Sequence, residues 1–299
     1  MTLNSKKIVS VVIRTYNEQK HLRALLSGIS TQECKDFDIE TVLVDSGSTD
    51  DTLKIANEFH VNIVPINKED FSFGRSLNVG CVAAKGEVLV FISGHCIPAD
   101  KYWLANLIAP LGNGSICYTY GGQIGDDNSH FSEKQIFGKY FPNYNKIPQD
   151  GFYCNNANAA LLKNVWAINK YDEELTGLED MHLAKRLVAQ GYKLAYVSNA
   201  VVYHLHSETS AQVRRRFERE AIALQYIMPE VHLRLADISR YFLSAVLLDL
   251  GAALQQKGLR KYFFDILSYR FKQFSGSYHG NHIHRKLSMK AKEAYFYPR

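Results

Sequence analysis

The chain has 299 residues and 46% apolar content, enough for one large core or for one domain with a helical annex. Its net charge of +5 is uneven, because residues 211–299 hold 16 Lys and Arg against 7 Asp and Glu (+9) and residues 1–210 hold 19 against 23 (−4). The five cysteines are widely spaced and include no CxxC pair, which argues against a disulfide or zinc framework and predicts a reducing, cytoplasmic compartment.

The first part of the chain alternates apolar strands with amphipathic helices. Strands are predicted at four apolar runs, residues 8–13, 39–44, 61–65 and 88–92. Helices are predicted between them at residues 21–29, 52–59 and 76–84. The first run is short and ends at Arg14, which is typical of a strand and not of a signal peptide. Alternation at this spacing predicts an α/β fold with a mostly parallel sheet and helices on its faces.

Small polar loops follow two of the predicted strands. Asp45-Ser46-Gly47-Ser48 follows the second strand, and Ser93-Gly94-His95 follows the fourth. Both loops should lie at the carboxyl edge of the sheet, where open α/β sheets bind ligands. A carboxylate such as Asp45 accepts hydrogen bonds from a ribose or a base, but an Asp in such a loop is equally typical of a turn. Phosphates at this edge would need a metal ion, a basic side chain or backbone N–H groups.

The middle of the chain carries further strands and two polar motifs. A helix is predicted at 98–111, strands at 118–122 and 152–162, and a closing strand pair at 193–202. Asn155 and Asn156 suit sugar hydroxyls because an amide both donates and accepts hydrogen bonds, and turn formation is the alternative interpretation. Glu179 and Asp180 open a predicted helix, where acidic residues are favoured by the helix dipole.

The C-terminal part is predicted to be helical, at residues 212–225, 238–256 and 259–274. The last helix mixes Lys and Arg with Tyr and Phe, which suits either an interfacial helix on an anionic membrane or an annex that contacts another chain. The apolar stretch 241–254 contains Asp249 and is shorter than the roughly 18 residues of a spanning helix, so we expect none. No basic patch accompanies a nucleic-acid-binding motif, and we expect no nucleic acid partner.

Six segments give the chain a resemblance to a known family: VVIRTYNE, VLVDSGSTDDT, FGRSLNVGCVAAKGEVLVFISGHCIPADKYWL, YCNNANAALLKNVW, GLEDMHLAKRLVAQGY and VVYHLHSET. Over residues 8–210 the chain resembles the inverting family 2 glycosyltransferases, and among them the bacterial polysaccharide rhamnosyltransferase-like members. The resemblance implies a GT-A (Rossmann-like) domain at 1–210, and composition and periodicity predict a basic, aromatic-rich helical region at 211–299. It also implies transfer of a sugar, with inversion, from a nucleotide-sugar donor to a hydroxyl of a glycan or lipid-linked acceptor. The resemblance further implies a role in surface polysaccharide biosynthesis, and we expect a cytoplasmic protein that is peripheral at the inner face of the cell membrane.

The resemblance assigns roles to individual residues. Asp180 matches the general base that deprotonates the acceptor hydroxyl, with Glu179 beside it, and Asn155 and Asn156 become candidates for acceptor binding. Donor nucleotide binding is assigned to Thr15, Tyr16, Asn17, Glu18, Asp45, Arg75, Asn78, Ser93 and Gly94. In the family, a His after the last strand reaches the metal and the diphosphate. Of His204 and His206 we expect only one, His204, to do so.

The main departure from the family lies in its metal motif. Ser93-Gly94-His95 occupies the position of an Asp-x-Asp sequence, and Mg²⁺ and Mn²⁺ prefer oxygen ligands. Three interpretations stay open: His95 is a ligand to a divalent metal (Mn²⁺ or Mg²⁺) with a preference away from Mg²⁺, a protonated His95 contacts the diphosphate directly, or the site is inactive.

Two alternatives to a glycosyltransferase follow from the residues. The chain would be a nucleotide-binding relic if the site is inactive. A sugar-nucleotide nucleotidyltransferase would want a Gly-rich phosphate loop after the first strand, and the segment Arg14–Asn17 contains no Gly, which argues against that class.

Overall fold

A computed structural model describes residues 6–33, 35–206 and 208–281, which fall into two compact units. The sheet unit runs to Ile124 and also includes Phe141–Glu174 and Glu179–Leu205. The helical unit comprises Gly125–Tyr140, Leu175–Leu178 and the described residues from His206 onward. This division differs from the boundary expected after residue 210, because two internal segments belong with the C-terminal helices.

The strands of the sheet unit form one sheet. They are β1 (Lys7–Thr15), β2 (Phe37–Asp45), β3 (Asn62–Pro65), β4 (Val88–Ser93), β5 (Cys96–Pro98), β6 (Ile116–Ile124), β7 (Lys146–Gln149), β8 (Asn158–Leu162) and β9 (Lys193–His204). Their order is β3-β2-β1-β4-β8-β6-β9-β5, and β7 pairs with β9. The α/β class is therefore confirmed, and all four predicted N-terminal strands are present.

Strand direction changes halfway across this sheet. Strands β1 to β4 are mutually parallel, as predicted. Strand β8 is antiparallel to both β4 and β6, whereas β6 and β9 are parallel. Strands β5 and β7 are antiparallel to β9. The sheet is therefore mixed beyond β4, and a single long strand, β9, stands where we predicted a strand pair.

Helices cover both faces of the sheet, since apolar side chains alternate along its strands. The helices of the sheet unit are α1 (Leu22–Ser30), α2 (Thr52–Ala56), α3 (Phe73–Ala83), α4 (Trp103–Ile108), α6 (Lys163–Ile168) and α7 (Glu179–Ala189). On β1, Val9, Val11 and Ile13 share a buried cluster with α1 and α4. Val12 faces the opposite cluster, which contains side chains of α3 and α7. Four of the five cysteines are buried free thiols in these clusters, and Cys34 lies outside the described residues.

Two local departures from the sequence prediction arise near the edges of helices. Helix α3 begins at Phe73, before the predicted start, because the side chain of Ser72 caps it by accepting a hydrogen bond from the Arg75 N–H at 3.1 Å. The helix predicted at 98–111 begins only at Trp103. Pro98, its predicted first residue, is instead the last residue of β5, in which Cys96 pairs with His204 at the end of β9.

The helical unit contains α5 (Phe131–Tyr140), α8 (Ser210–Ile227), α9 (Leu235–Gln255) and α10 (Leu259–Gly280). A small apolar core joins Phe131 of α5, Val246 and Ala253 of α9, and Ile266 of α10. A buried ion pair lies beside it: Arg270 donates to both carboxylate oxygens of Asp249, at 2.7 and 2.8 Å. Among the helices that the structure describes, none combines the length and apolar character needed to cross a membrane.

Candidate active site

The loops that follow β1, β2 and β4 meet at one edge of the sheet because the three strands are parallel and in register. Thr15, the last residue of β1, is paired with Asp45, the last residue of β2. On the other side, Arg14 is paired with Ser93, the last residue of β4. The predicted juxtaposition of these strand ends is therefore present in the fold, at the position where α/β sheets bind ligands.

The first two loops are fastened together by hydrogen bonds. The Asn17 N–H donates to Ser48 Oγ at 2.9 Å, and Asn17 Oδ1 accepts from the Thr49 N–H at 2.8 Å. The Glu18 N–H donates to Thr52 Oγ1 at 2.8 Å. Asn17 adopts a left-handed backbone conformation with φ 56°, which Asn tolerates better than most residues. These hydrogen bonds hold the two loops together as one rigid rim, in which Tyr16 is half-buried.

Asp45 organises its own loop. Its Oδ2 accepts from the N–H groups of Gly47 and Ser48, both at 3.0 Å, and its Oδ1 accepts from Ser48 Oγ at 2.5 Å. The carboxyl group is 4% exposed. These contacts make Asp45 a turn-forming residue, and its contact with the nucleotide stays a prediction. Thr15 is equally buried, and its hydroxyl donates to the Val44 carbonyl at 3.2 Å.

The side chain of Asn78 is also fully hydrogen-bonded within the protein. Its Oδ1 accepts from Trp166 Nε1 and the Tyr171 N–H, and its Nδ2 donates to the Tyr171 carbonyl and Glu173 Oε1. All four hydrogen-bonding positions of a primary amide are therefore used, and the direct donor contact expected for Asn78 has no position left. Arg75, by contrast, is exposed, with Nη2 3.8 Å from Asp70 Oδ1.

A chain of close polar contacts passes through the loop after β4. His95 Nδ1 lies 2.8 Å from Glu18 Oε1, and His95 Nε2 lies 3.2 Å from His204 Nε2. His204 Nδ1 in turn lies 2.7 Å from Gln123 Oε1. The two imidazole rings are stacked, with centroids 5.1 Å apart and planes inclined by 25°. His204 is 7% exposed, and the expected placement of His204 at the site agrees with this geometry.

Gly94 permits this arrangement by its lack of a side chain. A Cβ atom at Gly94 would lie 2.8 Å from Glu18 Cγ and 3.1 Å from the Arg14 carbonyl oxygen. Such contacts would push Glu18 away from His95. Gly94 therefore acts on the site through the position of Glu18, and the neighbouring Ser93 is fixed by its N–H, which donates to the Ala157 carbonyl at 3.3 Å.

The histidine pair fits a divalent metal ion of the kind found in the fold family. Both Nδ1 atoms face oxygen acceptors, Glu18 Oε1 and Gln123 Oε1, so each Nδ1 carries a proton and donates it. Each Nε2 atom therefore carries a lone pair. The two lone pairs repel one another unless a cation or a shared proton lies between them. Two imidazole nitrogens bound to one metal ion at about 2.1 Å are about 3 Å apart, close to the observed 3.2 Å. Acceptors behind each Nδ1 are also the usual second shell of metal-binding histidines.

Asp180 stands at the start of α7 in a fully buried setting. Its Oδ2 accepts from the Asn156 N–H and its Oδ1 from the Met181 N–H, each at 2.7 Å. Burial, and then the negative charge of Glu179, raise the pKa of Asp180 to about 7, while Arg14 acts in the opposite direction. A carboxyl group that changes protonation near neutral pH is suited to proton transfer.

Glu179 has a different environment from its neighbour. Its Oε1 lies 3.1 Å from Arg14 Nη1, and the side chain of Glu179 is 5% exposed. Arg14 also donates to the Phe73 carbonyl at 3.2 Å, and its guanidinium lies 5.2 Å from the centre of the Phe73 ring. Glu179 is thus a fixed ion-pair partner whose charge acts on Asp180, and the two carboxyl groups that the sequence places together have separate environments.

Residues 155 and 156 connect the histidine pair to Asp180. Asn155 Oδ1 accepts from Gln123 Nε2 at 3.0 Å, and the next residue supplies the N–H bound by Asp180. Asn156 Oδ1 accepts from Tyr118 Oη at 2.5 Å. Its Nδ2 is buried and has no hydrogen-bond partner among the residues that the structure describes. An unpaired buried donor beside Asp180 costs stability unless a ligand completes it.

Three residues of the site were missed by the sequence analysis: Arg14, Gln123 and Tyr118. Gln123 is 1% exposed and lies in β6 between apolar and glycine residues, where no motif marks it. Arg14 gave a usable signal, because a basic residue ends an otherwise apolar strand. His206, the alternative to His204, belongs to the helical unit, where its Nδ1 lies 2.8 Å from Glu133 Oε1.

Comparisons with known proteins now identify the family. The model of glycosyl transferase family 2 matches residues 10–167, which is more than half of the chain and includes the three loops described above. The chain belongs to the family 2 glycosyltransferases. It is therefore a transferase of glycosyl groups.

Relatives of this glycosyltransferase and similar folds agree with the assignment. The O-antigen chain rhamnosyltransferase RfbN of Salmonella typhimurium is 26% identical over 222 residues, 70% of each chain. WbaN of Salmonella anatum, also an O-antigen chain rhamnosyltransferase, is 28% identical over 192 residues, 60% of each chain. The mannosyltransferase PcManGT from Pyrobaculum calidifontis, solved with GDP-Man and Mn²⁺, superposes with a TM-score of 0.62 at 17% identity, over 93% of this chain and 88% of that one. The GT-A fold is thereby confirmed.

Proposed function

We propose that this glycosyltransferase moves a sugar from a nucleotide-sugar donor to a hydroxyl group of a growing glycan, with inversion, and that Asp180 is the general base. The observation that carries the proposal is the environment of Asp180: buried, held by two backbone N–H groups, and with a pKa of about 7. An inverting transfer in a single displacement needs one such base. The unpaired Nδ2 of Asn156 beside it supports a role for Asn156 in holding the acceptor oxygen.

In the proposed reaction Asp180 takes the proton of the acceptor hydroxyl. The acceptor oxygen forms a bond to the anomeric carbon as the bond from that carbon to the diphosphate oxygen breaks. The leaving nucleoside diphosphate keeps the electron pair of the broken bond, so one inversion results. The N–H groups of Asn156 and Met181 hold the Asp180 carboxylate in place. The negative charge of Glu179, which Arg14 offsets only in part, keeps the affinity of Asp180 for a proton high.

The histidine pair is proposed to hold a divalent cation, with His95 and His204 as ligands and Glu18 and Gln123 as their supports. When bound, the cation would neutralise the charge of the diphosphate leaving group. Nitrogen ligands favour Mn²⁺ and later first-row metals over Mg²⁺, so the change from Asp-x-Asp to Ser93-Gly94-His95 is proposed to alter metal preference. The mannosyltransferase PcManGT, which was solved with GDP-Man and Mn²⁺, supports the use of a divalent metal.

The nucleotide is proposed to lie against the rim formed by the loops after β1 and β2, near Tyr16, Asn17, Glu18 and Arg75. The rhamnosyltransferase relatives support an acceptor of the surface polysaccharide class, built on a lipid carrier at the inner face of the cell membrane. Asn155 is proposed to position Gln123 and the backbone at Asn156, and thereby to affect acceptor binding.

Calorimetric titration of UDP, GDP, dTDP and CMP into the protein tests donor and metal together. We expect one nucleotide to bind tightly with Mn²⁺ and weakly with EDTA. His95→Ala should weaken binding of the diphosphate far more than binding of the nucleoside. Binding unaffected by EDTA would mean that a protonated His95 replaces the cation, and no binding of any nucleotide would contradict the donor proposal.

Asp180→Asn tests the base. The variant should lose transfer, by about a thousandfold or more for removal of a general base, and should bind the nucleotide as the unmodified enzyme does. Loss of nucleotide binding together with activity would show a structural role for Asp180. If the unmodified protein and the Asp180→Asn variant both bind nucleotide and neither transfers sugar, the protein is the nucleotide-binding relic considered above.

A further inference from the structure

Helix α9 carries an apolar surface on its outward side. Leu243, Leu247, Leu248 and Leu254 are between 58% and 73% exposed. On the opposite side of the same helix, Val246 and Ala253 are buried in the core of the helical unit. A helix that is apolar on both sides is normally covered on both sides. We call the four exposed leucines the leucine face.

The one charged residue in the middle of this helix does not interrupt the leucine face. Asp249 is 2% exposed. Its carboxylate accepts two bonds from Arg270 and one from Ser132 Oγ, the last at 2.6 Å. The charge is therefore compensated inside the unit, and residues 241–254 present no exposed charge.

Helix α10 adds aromatic side chains with basic neighbours. Phe264 is 79% exposed and Phe271 is 58% exposed. Lys272 Nζ lies 5.7 Å from the centre of the Phe271 ring, and Lys261 Nζ lies 4.8 Å from that of Tyr262. Large apolar side chains mixed with Lys and Arg are the composition of helices that lie at a lipid–water interface.

The exposed charges of this region have one sign. Between residues 235 and 280 the exposed charged side chains are Arg240, Lys257, Arg260 and Lys261. All three acidic residues of the stretch are engaged within the unit: Asp237 by Arg234, Asp249 by Arg270, and Asp265 by His130 and the Phe131 N–H. The surface therefore combines exposed apolar groups with an uncompensated positive charge.

We propose that α9 and α10 form a docking surface for an anionic lipid bilayer, with the leucine face and Phe264 entering the interface and Arg240, Lys257, Arg260 and Lys261 contacting lipid phosphates. Charge decides between a bilayer and a second copy of the chain. A symmetric pairing of this surface with itself would bring like charges together, whereas an anionic bilayer complements them. The proposal does not depend on the proposed reaction, since it rests on residues of the helical unit alone.

Flotation of the full chain with lipid vesicles tests the proposal. We expect binding to vesicles of phosphatidylcholine and phosphatidylglycerol in equal parts and little binding to phosphatidylcholine alone. Arg260→Gln/Lys261→Gln should weaken binding about thirtyfold, because each charge near an anionic surface contributes about fivefold. Leu247→Gln/Leu248→Gln and, independently, Phe264→Gln should weaken it about tenfold or more.

Matched controls lie in the sheet unit. Val82 and Ile168 are as exposed as the leucines, at 68% and 80%, and Val82→Gln/Ile168→Gln should float as the unmodified chain does. Lys54→Gln/Lys85→Gln removes two exposed positive charges elsewhere and should have little effect. Asp180→Asn should also float normally, which separates this test from that of the catalytic proposal.

Three results would overturn the proposal. One is equal binding to neutral and anionic vesicles. Another is unchanged flotation of the leucine and phenylalanine variants with a native circular dichroism spectrum. The third is self-association without lipid, measured by sedimentation velocity, that Leu247→Gln/Leu248→Gln abolishes; that result would assign the leucine face to a second copy of the chain.

Discussion

A buried carboxyl group gives the proposed base its proton affinity. Burial, and then the negative charge of Glu179, raise the pKa of Asp180 to about 7, so Asp180 is mostly deprotonated only at higher pH. Since a base acts in its deprotonated form, the rate of transfer should rise with pH through this value. The acidic side of the pH–rate profile is therefore expected to report Asp180.

Substituting Glu179 by Gln should move that part of the profile. Removing the neighbouring negative charge lowers the pKa of Asp180, and Arg14, freed from its partner, acts in the same direction. We expect the acidic limb of kcat/KM to shift to lower pH by about one unit. Glu87→Gln, at an exposed residue paired loosely with Lys7, is the control. An unchanged limb, or a shift to higher pH, would contradict the assignment of that limb to Asp180.

Removing one partner of the ion pair between α9 and α10 should destabilise the protein more than replacing both partners. Asp249→Leu leaves the Arg270 charge buried without its carboxylate, and we expect the helical unit to lose about 3–5 kcal/mol of unfolding free energy. Adding Arg270→Met should recover most of this loss, because an apolar pair replaces the ion pair. Asp237→Asn, in an exposed pair with Arg234, should change stability by less than about 1 kcal/mol. Urea denaturation checks all three, and equal instability of the single and double variants would refute the argument.

Helix α3 lies unusually close to the sheet at Gly80. A Cβ atom there would lie 2.5 Å from Val12 Cγ1 and 2.9 Å from Val44 Cγ2. Gly80→Ala should therefore destabilise the sheet unit by about 1–3 kcal/mol, the usual effect of overpacking a core. Gly138 in α5 has open space around it, and Gly138→Ala should stabilise by about 0.5–1 kcal/mol through helix propensity. Thermal melting of both variants tests this, and a neutral Gly80→Ala would mean that α3 is free to shift.

Taken as a whole, the chain cannot be divided cleanly after residue 210. Helix α5 belongs with the C-terminal helices, through Phe131 in their apolar core and Ser132 bound to Asp249. We expect a truncation at residue 210 to aggregate, because it uncovers the apolar side of α5. Size-exclusion chromatography of the truncated and full chains measures this. A truncated protein that is monodisperse, and that melts at the temperature at which the sheet unit melts in the full chain, would contradict the expected aggregation.

The sequence predicted the parts of this molecule that depend on neighbouring residues. Strands β1 to β4 are marked by apolar runs, and the loop Ser93-Gly94-His95 by the end of one of them. The contact between His95 and His204 could not be predicted in the same way. It depends on β5 pairing antiparallel with the end of β9, and so on residues more than 100 positions apart. The hydrogen bonds from Trp166 and Tyr171 to Asn78 could not be predicted for the same reason.

Strand β9 has pairing partners on both of its edges, with β6 on one side and β7 and β5 on the other. Amide protons in such a strand exchange with solvent only when a large part of the structure opens. The backbone of His204, at the end of β9, thus belongs to a strand that is paired on both edges, whereas His95 lies in the short loop between β4 and β5. Deuterium uptake should therefore be slow before His204 and faster around His95, so that one imidazole of the pair stays fixed while the other is free to adjust to what binds between them.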